Sequence, residues 1–94
     1  MVRAIWNDTV IAESDQTVVV EGTHYFPQEH VSAAHLKPTA TQTTCHWKGV
    51  ATYFSVVVDA AVNTDAAWVY VDPKEAAKEI RGHLAFWKGV QIVD

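Results

Sequence analysis

The sequence contains one cysteine, Cys45. A lone thiol excludes an internal disulfide and a zinc knuckle built on cysteine pairs, and it makes a reducing cytoplasm the expected address. The chain has no cationic surplus: seven Lys and Arg stand against eleven Asp and Glu, a formal charge of −4 with His neutral. Binding along a phosphate backbone needs Lys and Arg clustered on one face, so nucleic acid is not expected as a partner. No run of like charge forms a tail, and no apolar run is long enough to cross a membrane. The N-terminus has no charged start followed by an apolar stretch, so no secretory signal is expected.

What the chain does have is apolar and aromatic content. Its 94 residues suit a single domain over 1–94, small enough that the margin of buried surface is thin. Against that, 49% of residues are apolar, and four Trp, three Tyr and three Phe each supply large buried area. A core can therefore form without covalent staples.

The pattern along the chain is mainly β. Val2–Trp6 and Thr9–Ala12 read as strands about an Asn7-Asp8 turn, and Thr17–Glu21 as a β-branched third strand ended by Gly22. His24–Pro27 is an aromatic corner in which Pro27 keeps Phe26 extended. Gln28–Leu36 admits a helical turn or two, and Thr39–Gln42 reads as a polar linker. Thr43–Trp47 and Val50–Asp59 form a long hairpin about Lys48-Gly49. Asn63-Thr64-Asp65 reads as a turn before a strand over Ala66–Asp72. Asp72 as N-cap, Pro73 at the first helical position, Glu75 near the positive end and Gly82 as stop predict a short helix over Pro73–Arg81. His83–Trp87 and Val90–Val93 then close the chain as a hairpin about Lys88-Gly89. The predicted fold is thus small, curved antiparallel sheets with one short helix near the C-terminus. Trp47-Lys48-Gly49-Val50 recurs as Trp87-Lys88-Gly89-Val90, about 40 residues on. A Trp before a hairpin turn packs well, which accounts for the echo without a duplication.

The order Tyr25-Phe26-Pro27, then Cys45-His46-Trp47-Lys48-Gly49-Val50-Ala51-Thr52-Tyr53, then Ala67-Trp68-Val69-Tyr70 resembles the bacterial family called domain of unknown function 427 (DUF427). The likeness runs from the opening hairpin to Ala85-Phe86-Trp87. It implies a compact β fold of the Mss4-like or β-tent type. Such folds often hold a zinc between two cysteine pairs, which a chain with Cys45 alone cannot supply. The family also carries a nucleotidyltransferase-type label. Metal-dependent nucleotidyl transfer needs clustered carboxylates beside a phosphate-gripping loop, whereas Asp59, Asp65 and Asp72 are scattered near turns.

The residues that could carry chemistry fall largely within those motifs. Tyr25, Tyr53 and Tyr70, with Trp68, are amphipathic rings suited to lining a cleft for a planar or sugar-like ligand; the alternative is an aromatic core with satisfied hydroxyls. Lys48 serves a turn and could also reach an anion. Cys45 would need a cation or oriented dipoles to become reactive, and a buried, inert thiol is the expectation. Ser55, two residues beyond Tyr53, is a minor candidate. His24, His30, His35 and His83 lack metalloprotease spacing and are expected as solvated side chains. No metal site is assigned, and no Ser-His-Asp set with an elbow glycine occurs. The preferred expectation is a cleft for a small polar or anionic ligand, formed from Tyr25, Cys45, Lys48, Tyr53, Ser55, Trp68 and Tyr70. Any catalysis and any cofactor are left unidentified, and monomer and homodimer are both open. Alternatives are a protein-interaction module without enzyme activity and, more remotely, a metal-binding domain using Cys45 with loop histidines.

Overall fold

Hairpin chemistry sets the opening of the chain. A computed structural model describes residues 1–94. Strands β1 (Val2–Trp6) and β2 (Thr9–Ser14) pair antiparallel about Asn7 and Asp8, both at positive φ (52° and 59°). Two such residues match the primed turn that fits the right-handed twist of a hairpin. β3 (Val18–Val20) and β4 (Thr23–Tyr25) repeat this device with Glu21 (φ 53°) and Gly22 (φ 77°).

The three longest strands are β5 (Leu36–Cys45), β6 (Gly49–Val58) and β7 (Ala61–Tyr70). With β8 (Leu84–Phe86) they form a sheet in the order β5-β6-β7-β8. The last strand, β9 (Gln91–Val93), joins β1 in a sheet of order β2-β1-β9. All pairings are antiparallel. The mainly β architecture of small antiparallel sheets follows the sequence pattern.

The long sheet is buried on both faces because successive side chains alternate sides. Val56, Val58, Ala67, Val69, Leu84 and Phe86 pack with Ala4, Ile11 and Phe26 in the main core. The intervening residues Ala51, Tyr70 and Ala85 face the other way and pack with Tyr25, Ala77 and Ile80. Phe26 ties the two layers together. Its N–H donates to Leu84 O at 2.7 Å and its carbonyl accepts from Leu84 N at 2.8 Å, while its ring meets Phe86 edge-on at 5.6 Å. Anchored this way, neighbouring Tyr25 is delivered to the opposite face.

Four expectations are corrected. No α-helix forms over Pro73–Arg81; Glu75–Ile80 makes 3-10 turns, broken by Ala77 at φ −120° and ψ 20°. Ala77 and Ile80, three apart, both enter the second core, a spacing that eclipses in 3-10 geometry. Asp72 caps nothing and instead accepts from Arg81 Nη2 at 2.8 Å. Thr39–Gln42 is not a linker but part of β5, where an irregularity between Pro38 and Gln42 lets Thr39 and Thr41 donate to the Asp65 carboxylate at 2.6 and 2.8 Å. Asn63-Thr64-Asp65 lies within β7, and the chain reverses instead at Asp59 (φ 51°) and Ala60. β8 and β9 do not form a hairpin with each other: Lys88 (φ 54°) and Gly89 (φ 86°) redirect the chain between sheets. The echoed Trp-Lys-Gly-Val thus serves two different geometries, since its first copy does close a hairpin, although the turn is His46-Trp47-Lys48 and Gly49 opens β6 opposite Cys45 rather than sharing the turn.

Candidate functional site

Register builds one face of the long sheet into a candidate site. Directly opposed residues share a face. Cys45 opposes Gly49, Ala51 opposes Tyr70, Tyr53 opposes Trp68, and Trp68 opposes Ala85. Cys45, Tyr53 and Trp68 accordingly pack against the second core at its margin. Ala51 and Ala85, small and buried, separate the larger side chains there.

The result is a cavity of about 240 Å³ lined by Tyr25, Lys48, Tyr53, Trp68 and Tyr70, with Thr23 and Trp87. Tyr25 meets Trp68 edge-on at 6.2 Å. Trp68 meets Trp87 at 6.0 Å, and Tyr53 lies 6.5 Å from each of those two rings. Trp87 is held at the rim by its indole N–H, which donates to Asp65 O at 2.6 Å.

The polar groups at this cavity differ in how they are satisfied. The Tyr53 hydroxyl shares a hydrogen bond with Thr43 Oγ1 at 3.1 Å. Tyr25 is 1% exposed and Tyr70 6%, and neither hydroxyl has a hydrogen-bond partner in the protein. No fully enclosed side-chain polar atom lacks a partner, so these two hydroxyls open onto the cavity they line. Burial pushes the Tyr70 phenol above its ordinary pKa, and Tyr25 beside it adds to the effect.

Lys48 is buried, with its Nζ hydrogen-bonded to the Glu21 carboxylate and 4.9 Å from the Trp47 ring centroid. Burial opposes its charge, but the Glu21 hydrogen bond and the surrounding charges outweigh burial and raise its pKa. The Lys48 backbone is fixed as well: its carbonyl accepts from Lys74 N at 2.8 Å. Gly49, at φ 112°, sits where a Cβ would lie 3.5 to 3.6 Å from backbone atoms of Asp72, Pro73 and Lys74.

Cys45 shares this face but does not line the cavity, and it is half-buried rather than buried as expected. The backbone amides of Trp47 and Lys48 hydrogen-bond its sulfur. They outweigh partial burial and, with the Lys48 charge, hold the thiol below its ordinary pKa. Ser55 is not part of the cavity. It is buried, and its Oγ accepts the Asp65 N–H at 3.2 Å across the irregularity in β6–β7 pairing.

Four of the five histidines are fastened rather than free. His30 Nδ1 pairs with Ser14 Oγ at 2.7 Å and His24 Nδ1 with Thr17 Oγ1 at 2.8 Å. His35 Nδ1–H donates to Val57 O at 2.8 Å and His83 Nδ1–H to Arg81 O at 2.9 Å. No three His, Cys, Asp or Glu side chains come together as a metal donor set.

Sequence reasoning missed Glu21, Thr23 and Trp87. Trp87 carried a signal in the Trp-Lys-Gly-Val echo. Glu21 carried none, because its partner lies 27 residues away. A larger cavity of about 390 Å³ opens on the main-core side among Val31, Leu36, Phe54, Val69 and Leu84, with Gln28 its one polar side chain. Ligand sites combine apolar walls with several convergent polar groups. The smaller cavity meets that description and the larger does not.

No helix of the chain is long and apolar enough to cross a membrane. No curated protein is significantly similar to the chain. The family model described as "Domain of unknown function (DUF427)" matches residues 1–94, and the chain belongs to that family.

Proposed function

We propose that residues 1–94, taken as one domain, bind a small polar or anionic ligand in the cavity formed by Tyr25, Lys48, Tyr53, Trp68, Tyr70 and Trp87. The observation that carries this reading is a pair of tyrosines with buried rings whose hydroxyls make no hydrogen bond within the protein and open onto the cavity. A phenol on a buried ring normally finds a protein partner, whereas these two keep their hydrogen-bonding capacity free toward the cavity. Two such donors converging beside a buried ammonium suit an oxygen-bearing ligand, while the three-ring wall suits a planar body. Cys45 stands at the edge of this arrangement and Ser55 outside it.

Native mass spectrometry of the purified protein, together with thermal-shift screening of small carboxylates, sugars and nucleosides, tests the reading. The expected result is one chemical class that raises the melting temperature of wild type but not of Tyr25→Phe or Lys48→Ala. Equal shifts in wild type and both variants refute it.

One observation favours a second reading, a protein-interaction module. β5 is the terminal strand of its sheet, and its outer edge is unpaired in this chain. Such an edge can accept an added strand. A stoichiometric partner lost on substituting proline at Thr41, with no small molecule shifting the melt, would support that reading over the first.

A further inference from the structure

We infer, building on the ligand-binding reading, that the site takes a planar monocarboxylate, which enters by displacing the Glu21 carboxylate from Lys48. Lys48 is the one charged residue lining the cavity, and Glu21 already holds its ammonium. An incoming anion that left Glu21 in place would set two negative charges on one ammonium, an arrangement like-charge repulsion disfavours.

The fold makes exchange easy. Glu21 has a side chain 60% exposed, and Lys48 is its one hydrogen-bonding or ionic partner. It stands in the tip of the β3–β4 hairpin, whose strands pair only with each other. Glu21 can therefore swing into solvent without breaking the long sheet, and its charge stays hydrated there. Lys48 cannot move in the same way, since its side chain is 11% exposed and its carbonyl is tied to Lys74.

The donor set selects the anion. A carboxylate already fits the ammonium, as Glu21 demonstrates. A phosphate dianion would bring more charge to a single lysine, with no arginine in the lining to form the bidentate contacts such groups favour. The Tyr25 and Tyr70 hydroxyls are neutral donors able to serve carboxylate oxygens. Tyr53, Trp68 and Trp87 supply faces and edges for an attached planar group.

Isothermal titration calorimetry of the full chain with benzoate, benzamide and inorganic phosphate tests the inference. Benzoate is expected to bind, with benzamide and phosphate at least about tenfold weaker, a difference of about 1.4 kcal/mol. Glu21→Gln and Glu21→Ala are expected to tighten benzoate binding about fivefold, because the internal competitor is gone. Lys48→Met is expected to abolish it, with its melting curve as the check that it folds. Unchanged or weakened benzoate binding in both Glu21 variants overturns the exchange. Benzamide or phosphate binding as well as benzoate overturns the assignment of a carboxylate while leaving the cavity as a ligand site. If none of the three binds wild type or either Glu21 variant, the inference fails; the ligand-binding reading then stands or falls on the wider thermal-shift screen.

Discussion

Removing the Tyr25 hydroxyl asks directly whether it belongs to the fold or to a ligand. Tyr25 is 1% exposed, and its ring packs edge-on against Trp68. Tyr25→Phe retains that packing and deletes only the oxygen. Had the hydroxyl a protein partner, its loss would cost about 0.5–1.5 kcal/mol. It has none, so its deletion forfeits no internal hydrogen bond and relieves part of the cost of drawing a phenol out of bulk water. The expected result is a variant between equal to wild type and about 1 kcal/mol more stable. In a chain of this length 1 kcal/mol corresponds to about 4–8 °C in Tm. Tyr25→Ala, which removes the ring, is expected to cost about 3–5 kcal/mol. Urea unfolding followed by tryptophan fluorescence measures both. With benzoate at saturation the order reverses, because wild type gains more binding free energy than Tyr25→Phe. A loss above about 1 kcal/mol in ligand-free Tyr25→Phe would show that the hydroxyl serves the fold. The cavity reading would then lose the observation that carries it.

Gly49→Ala is expected to destabilise by about 1–3 kcal/mol in the same assay, because φ 112° strains an L-residue, while the added Cβ would meet the 72–74 backbone at ordinary contact distance. Hydrogen bonds from Thr39 and Thr41 hold the Asp65 carboxyl below its ordinary pKa. A depressed carboxyl contributes its stability fully above the unfolded pKa of about 3.9 and loses it as pH falls through the lower folded value. Asp65→Asn should therefore flatten the acid limb of a Tm-against-pH curve; an unchanged limb contradicts the pairing. Cys45 alkylation by iodoacetamide is expected to reach half its limiting rate below the pH typical of a free thiol, since amide hydrogen bonds and Lys48 favour the thiolate. Lys48→Met should move that midpoint up only in part, because the amides remain. The same variant in ligand-free protein is expected to lie within about 1 kcal/mol of wild type or above it, since Glu21 returns to water and no buried charge is orphaned; a loss above about 2 kcal/mol would make the ion pair structural.

Much of the site was legible because strands impose a simple geometry. Alternation puts Ala51 and Tyr53 on one side of β6, and hairpin pairing then brings Trp68 and Tyr70 of β7 opposite them. The Lys48-Gly49 dipeptide marked the turn that holds the cation. The sequence misled where one residue type serves two geometries. Asp72-Pro73 with Gly82 is a sound helix signature, but six residues carrying Ala77 and Ile80 into one core are better served by 3-10 turns. Asn63-Thr64-Asp65 has turn composition, yet Asp65 uses its positive φ for an irregularity inside β7. Ser55 looked like a neighbour of Tyr53, and its hydroxyl is consumed by that same irregularity. The Glu21–Lys48 pair was invisible, because only tertiary structure brings the tip of one hairpin onto the turn of another.

The two faces of the long sheet divide the work between them. Val56, Val58, Val69, Leu84 and Phe86 give the main core side chains without polar tips, so burial there carries no unmet hydrogen-bonding demand. The opposite face uses Tyr25, Tyr70 and Lys48, each of which brings a polar group into partial burial that an apolar residue would have avoided. Packing needs do not account for that choice, since Phe in place of either tyrosine and Met in place of Lys48 would fill similar volume without the demand. Local departures from the cheapest way to fold are where functional groups are expected. Here those departures share one cavity on one face of the sheet.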